Sequence, residues 1–490
     1  MIYSEKVMEN FKHPKNVGKI ENADGIGEVG NVTCGDILTL YIKVGKRKNK
    51  ETRKEEEFIK DIKFNTLGCL PPEGEISKNE GEWTEIKQVK TGDEVLNSEG
   101  NRVKVLETYA RDYSGEMLRF IPFVSTWNSF EVTPEHPILC VKRDWCKSAR
   151  RSSGKCDWKR VNNKEITSIK PDFVEAKDVR ISDYLVFAPN SRIVDNSELT
   201  IEIMQILGYY LSEGYFTSNG VLAFALNKDE KEEINELKSL ILNVTKKAPK
   251  ERTRRNVTEV YICSKKWGDF FVSLGGKYAT EKKLEDGILV LPFEKQWKMI
   301  ETYIKGDGNL YKRRLKDSST YRISTASKRM AIQLQEILAR GRIFASIKKD
   351  SRPRNKIEGR IVSSNPLYEV SFKLERRHKF IRSNKNYLLV PVRKIEKRNY
   401  SGKVYNFEVE GEPHSYLTKG FAVHNCAAAI AVSSMITQMA KGKTIEDAEK
   451  ISNKDIVREL GDLPEVKHHC SLLGADALHK AIKDYKKGKS

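Results

Sequence analysis

Residues 404–430 read VYNFEVEGEPHSYLTKGFAVHNCAAAI, and the organisation of the whole chain turns on where that pattern changes. Up to His424 the stretch alternates apolar and polar residues in short runs, the period of strands. From Cys426 onward AAAIAVSSMITQMAKG takes helical spacing and stops at Gly442, with Thr444 placed to cap the next helix. A matching break lies far upstream. Residues 37–43 (ILTLYIK) and 58–65 (FIKDIKFN) alternate as strands around a charged hairpin tip from Gly45 to Glu57, and that pattern ends at Gly68-Cys69. Neither flank has a core of its own. The spacing therefore predicts one small α+β domain cut in two, residues 1–68 and 426–490, with a closing helix near residues 472–486.

Between the breaks, residues 70–190 and 387–425 consist of short β-type runs such as RVKVLETYA, EMLRFIPF, YLLVPVRKI and KVYNFEVEG, with turn signals at Asn97-Ser98 and Ser401-Gly402. Residues 200–345 mix helices with strands. The fold class expected is multidomain and nested: an all-β domain split into residues 69–195 and 386–425, enclosing an α+β domain at 196–385, with both inside the split α+β domain. The length of 490 residues agrees with two to four domains. The flanks hold 13 Lys+Arg against 11 Asp+Glu and 11 against 9, so 16 of the 20 net positive charges fall between the breaks. Such a segment suits a phosphate backbone, and on charge alone a solvated Lys-rich surface fits equally well. Eight cysteines without dense spacing point to ligands or nucleophiles in a reducing compartment rather than to disulfides. No apolar run approaches a membrane span and the first residues lack a signal-peptide pattern, so a cytoplasmic protein without membrane contact is expected.

The residues at the breaks suit breaking and remaking a peptide bond. Cys69 can attack the Gly68 carbonyl to form a thioester, and Cys426 can accept that acyl group. In His424-Asn425-Cys426, the Asn425 amide can cyclise on its own carbonyl while His424 moves the proton. The stretch from Cys69 through EGEISKNEGEWTEIKQVKTGDEVL, the VTPEHPI segment with Thr133 and His136, and the closing VYNFEVEGEPHSYLTKGFAVHNC together resemble the intein family in order. The resemblance implies a Hint-type splicing domain excised from Cys69 to Asn425, with Thr133 and His136 activating the first amide and His414 assisting. Asn406 departs from the family, which often has an aspartate there, and an amide cannot act as a general base.

A second constellation lies inside the insert. LGYYLSEG (207–214) and ETYIKGDG (301–308) align at an offset of 94, and each closes a helix with an acid followed by Gly. Small residues recur at Gly208 with Thr302 and at Ser212 with Gly306, so two helix backbones can approach and bring Glu213 to Asp307. Paired carboxylates suit Mg²⁺ in phosphodiester hydrolysis. The repeat resembles the LAGLIDADG (DOD-type) homing endonucleases. That resemblance implies Lys282 as an auxiliary catalytic residue, Ser327-Lys328 as the segment after the second motif, and double-stranded DNA encoding the uninterrupted junction as target. The basic stretch 142–160 reads either as added DNA contacts or as a solvated loop; its Cys140, Cys146 and Cys156 lack the tight pairs of a zinc site.

Joining Gly68 to Cys426 places TCGD, FNTLGCAAAIAVSSM and LPEVKHHCSLLGADAL in one chain, which resembles the NifU/IscU scaffolds along nearly its whole length. The resemblance implies Cys34, Cys426 and Cys470 as cluster thiols, Asp36 as the labilising carboxylate and His469 as a further ligand, holding iron in a [2Fe-2S]-type cluster, with Zn²⁺ able to take the same site. A cysteine desulfurase is implied as sulfur donor. Chaperones are implied too, although Glu465 stands where the chaperone-binding version has Pro. The competing reading is an unspliced, nucleic-acid-binding metalloprotein with a degenerate endonuclease domain.

Overall fold

A computed structural model describes residues 4–30, 37–48, 55–65, 68–78, 81–147, 162–312, 319–351, 366–374, 381–411, 413–424, 427–461, 463 and 468–488. The two flanks share one core. Strands Gly25–Gly30, Ile37–Lys48 and Glu55–Asn65 form an antiparallel sheet. Leu40, Ile62 and Phe64 from that sheet pack with Ile430, Ile436, Leu478 and Ile482 from helices beyond the insert. Helix His468–Lys487 lies on the first strand so closely that a β-carbon at Gly27 would fall 2.0 Å from the Ala477 carbonyl oxygen. This helix begins before the expected residue 472. Most of the expected hairpin tip is strand, because opposite charges face each other across the ladder. Lys46 pairs with Glu57, and Arg47 reaches Glu56 at 2.6 Å.

A twelve-stranded antiparallel arrangement follows, made from both sides of the chain. Strands Arg102–Pro122 and Leu388–Val409 pair antiparallel over nearly their whole lengths. The reading of Ser401-Gly402 as a turn is therefore wrong. Ser401 and Gly402 sit mid-ladder opposite Ser114 and Tyr113, and tertiary pairing overrides a local turn preference. The separate runs RVKVLETYA and EMLRFIPF likewise fuse into one strand. Asn97-Ser98 does turn, with Gly100 N–H donating to the Asn97 carbonyl at 2.9 Å.

The central segment is a tandem repeat of one plan. Helix Ile201–Glu213 leads into a four-stranded sheet with helices Lys231–Thr245 and Lys265–Gly275, and helix Phe293–Asp307 leads into a second four-stranded sheet with helix Lys328–Arg340. The two lead helices pack through their small residues. A β-carbon at Gly208 would fall 2.0 Å from Thr302 Oγ1, and one at Gly306 would fall 2.2 Å from Ser212 Oγ. Thr302 Oγ1 also donates across the helix pair to the Gln205 carbonyl at 2.8 Å. This segment joins the β domain through polar and apolar contacts: the Asn128 and Gln335 amides bond reciprocally at 2.9 and 3.0 Å, Lys328 pairs with Glu75, and the Phe344 ring meets Phe187 edge-on at 5.0 Å. No helix among the described residues is long and apolar enough to cross a membrane.

Replacing Gly208 with Val is expected to force these helices apart and destabilise the central segment by about 1–3 kcal/mol. Urea unfolding followed by limited proteolysis checks this, and the flank core should hold its parent stability.

Candidate functional site

The first site forms where the chain re-enters the β domain at Gly68-Cys69. Leu70 bonds Tyr405 in both directions, N–H to O at 2.9 and 2.8 Å, which docks the entry strand beside Leu388–Val409. That register fixes Cys69, buried, against the Thr133 turn. Its N–H donates to Thr133 Oγ1 at 3.0 Å, while Thr133 N–H donates back to the Cys69 carbonyl at 3.0 Å. Asn406 Nδ2 donates to the Gly68 carbonyl oxygen at 2.8 Å. His136 lies flush on Gly68, since a β-carbon there would fall 1.9–2.0 Å from Cα, Cβ and Cγ of His136. Only glycine fits that contact.

The electrostatics follow from burial. Desolvation lowers the His136 imidazole to about 3, helped by His424 and opposed by the Gly68 backbone, so the ring is neutral near pH 7. Among the described residues, neither of its ring nitrogens has a close, well-aligned partner. Burial raises the Cys69 thiol, and the Arg111 guanidinium, bonded to it, pulls the other way. Tyr416 completes the wall, its ring edge-on to His136 at 6.3 Å between centroids and its buried hydroxyl without a partner among the described residues. His424 ends strand Phe421–His424, pairs in register with Ser415 and meets the Phe173 ring edge-on at 4.9 Å. His414 stands just before Ser415 in a left-handed turn, φ 43°. Cys69, Thr133, His136 and His424 are thus brought into one buried cluster. Asn425 and Cys426 lie outside the described residues. Arg111 and Tyr416 carry no local sequence signal, because each reads as one more residue of an alternating strand.

The second site lies at the ends of the paired helices. The Glu213 carboxyl is pushed up to about 7 by burial, then by Asp307 and Glu230, with Lys282 opposing. Burial also raises Asp307, again opposed by Lys282. The Lys282 ammonium, lowered by burial against the pull of both acids, donates to the Leu211 carbonyl. A half-buried Glu213 and an exposed Asp307 that repel one another beside Lys282 form a solvent-accessible hard-oxygen donor pair of the kind that fits Mg²⁺. Lys328 pairs with Glu75 instead of joining them, and Ser327 caps its helix, accepting from Met330 N–H at 3.2 Å.

Of the cluster-ligand candidates, Cys470 is buried in the flank core. The side chain of His469 and the residues Cys34, Asp36 and Cys426 lie outside the described residues, as do Cys156 and Glu465. Among the described residues, no group of three or more His, Cys, Asp or Glu side chains is placed to hold a metal.

Residues 2–77 and 407–490 match the NifU-like N terminal domain, and residues 294–382 match a LAGLIDADG-like domain. The chain carries a split NifU-like domain. Its two segments are separated by an insert that carries the LAGLIDADG-like domain. An iron-sulfur cluster assembly SufBD family protein of Mycobacterium tuberculosis is 32% identical over 378 residues, 75% of this chain and 44% of that protein. The ATP-dependent DNA helicase Hel308 of Thermococcus kodakarensis is 25% identical over 425 residues, 76% of this chain and 37% of its own length. The iron-sulfur cluster assembly scaffold protein IscU 1 of Archaeoglobus fulgidus is 46% identical over 95 residues, 19% of this chain and 53% of that protein. The chain spans about half or less of the curated relatives it matches. Among solved structures, a homing endonuclease I-DmoI variant aligns at 13% identity over 38% of this chain and 94% of that one, with a TM-score of 0.27.

A pH dependence follows at the LAGLIDADG-like site. With no divalent ion bound, the fold holds Glu213 protonated more firmly than the unfolded chain does. The stabilisation is full below the ordinary value of 4.5 and is lost as pH rises through about 7. Urea unfolding of the metal-free protein from about pH 5 to about pH 8.5 should lose on the order of 1–2 kcal/mol after solvent screening. Glu213→Gln should remove its share of that slope and leave the share of Glu175, which burial also raises to about 7.

Proposed function

We propose that the chain is a splicing precursor: the insert from Cys69 to Asn425 excises itself and leaves a NifU/IscU-type scaffold whose cargo is iron in a [2Fe-2S]-type cluster. The observation that carries the reading is His136, which touches Gly68 at the start of the insert and whose near neighbour Ile138 pairs with Val423, next to His424 near its end. A residue placed between both breaks suits a reaction that must act on both. The relatives add support. The NifU-like segments, residues 2–77 and 407–490, make up about a third of the chain, so matches over 75% and 76% of it must lie largely in the insert. A stretch shared by proteins with names as different as an assembly factor and a helicase behaves as a mobile insertion.

In this reading Cys69 Sγ attacks the Gly68 carbonyl and the thiol proton passes to the departing Cys69 nitrogen. A neutral His136 can relay that proton, as an imidazolium could not. The acyl group moves to Cys426, Asn425 cyclises to release the insert, and an S-to-N shift restores the peptide bond. Cys426 then joins Cys34, Asp36, His469 and Cys470 around the cluster, with a cysteine desulfurase and chaperones as partners. The LAGLIDADG-like domain is read as a homing endonuclease for DNA encoding the joined TLGCAAAI junction. Glu213 and Asp307 would hold Mg²⁺, which activates water and stabilises the leaving oxygen when bound. Lys282 tempers the charge of the pair.

Intact mass spectrometry of freshly purified protein should show the joined scaffold and the free insert accumulating, and Cys69→Ala with Asn425→Ala should trap the precursor. A persistent 490-residue species with no joined product would mean an unspliced metalloprotein instead. Cleavage of a plasmid bearing the joined junction should need Mg²⁺ and fall at least about 100-fold in Glu213→Gln or Asp307→Asn, while splicing continues at the parent rate.

A further inference from the structure

The Gly68 carbonyl oxygen is the atom on which negative charge must develop when Cys69 attacks, and it already accepts a 2.8 Å bond from Asn406 Nδ2. Asn406 is 4% exposed, and its ladder partner is Tyr109. The orientation of its amide is set by a second bond: Phe407 N–H donates to Asn406 Oδ1 at 2.8 Å. Since that N–H can only donate, Oδ1 must face it and the NH₂ group must face Gly68. The donor is therefore held in place before reaction, in a buried and water-poor setting where such bonds count most. Its neighbours complete the arrangement. The carbonyl carbon is presented to Cys69, whose own N–H is tied to Thr133 Oγ1 at 3.0 Å, and Arg111 lies against the sulfur.

We propose that Asn406 is a catalytic residue of the first acyl shift, donating to the oxyanion that forms at Gly68. The inference rests on the splicing reading and deepens it. The step balances without a co-reactant. The S–C bond forms as the carbonyl π pair moves onto oxygen, the pair returns as the C–N bond breaks, and the thiol proton ends on the Cys69 nitrogen. An aspartate at this position cannot serve as that donor when ionised, because its charge would face the developing oxyanion. The amide that looked like the loss of a base is thus a change of role: this chain stabilises the electrophile at the place where a carboxylate would act on protons.

The test uses the full chain carrying Asn425→Ala and Cys426→Ala, in which added thiol cleaves between Gly68 and Cys69 only after the acyl shift. Asn406→Ala and Asn406→Asp should each slow this cleavage about 100- to 1,000-fold at pH 7.5, the range for losing one oxyanion donor. Relative to its parent at each pH, N406D should regain rate as pH falls toward about 5, because a protonated carboxyl can donate. A misfolded variant would not recover in that way. N406D cleaving as fast as the parent at pH 7.5 would assign a proton-transfer role and overturn the proposal. In the Cys69→Ala precursor with ¹³C-carbonyl Gly68, the carbonyl resonance should move upfield on adding N406A; an unmoved resonance would also overturn it. If the parent itself shows no thiol-dependent cleavage, the splicing reading falls, and that outcome is distinct from either result.

Discussion

Strand Arg102–Pro122 and strand Leu388–Val409 lie far apart in sequence, and their pairing is the contact on which the rest of the structure depends. It closes a loop holding the entire LAGLIDADG-like segment. The entropy of closing such a loop grows only with the logarithm of its length, about 0.6 kcal/mol per doubling, so a domain-sized insertion is tolerated once the ribbon's ladder and buried side chains are in place. One ribbon edge then receives Leu70 at Tyr405, and this brings Gly68 under Asn406 and His136. Without the ribbon, Gly68, Arg111 and Asn406 would belong to unconnected strands.

Both candidate sites use the same device, burial that disfavours the charged form of ionisable groups. At the entry site desolvation keeps His136 neutral and the Cys69 thiol protonated, with Arg111 limiting the second effect. At the helix pair it raises Glu213 and Asp307, with Lys282 opposing both shifts. The sites stand on different scaffolds, an antiparallel β domain and two packed helices. Their link is a mixed contact, polar through Asn128 with Gln335 and Glu75 with Lys328, and apolar through Phe344 against Phe187 and Tyr368 against Trp127.

The NifU-like flanks contribute in return. Their core draws Phe64 and Ile430 from opposite sides of the insert into one cluster, so burial of apolar surface holds the two breaks near each other. Tyr109, on the insert's ribbon, packs against that same core and its hydroxyl donates to Glu408 at 3.3 Å. Insert and flanks therefore fold around a shared surface.

Much of this was legible in the residues themselves. Strand and helix periods in the flanks, the acid-Gly repeat with its small residues, and the Cys, Thr-x-x-His and His-Asn-Cys segments all rest on local spacing, and local spacing survives folding when a face must be buried. Helix spacing alone put Gly208 and Ser212 on one face and Thr302 and Gly306 on another, the faces that pack together in the structure. What only the tertiary structure decided depends on partners distant in sequence. Ser401-Gly402 became mid-strand because a ladder partner was present, and Arg111 and Tyr416 came to the thiol through strand register. Asn406, read in sequence as the absence of a base, proved to be a donor because the fold put the Gly68 carbonyl 2.8 Å from its amide. A side chain's residue type determines which hydrogen bonds it can make, whereas long-range packing determines which atom receives them.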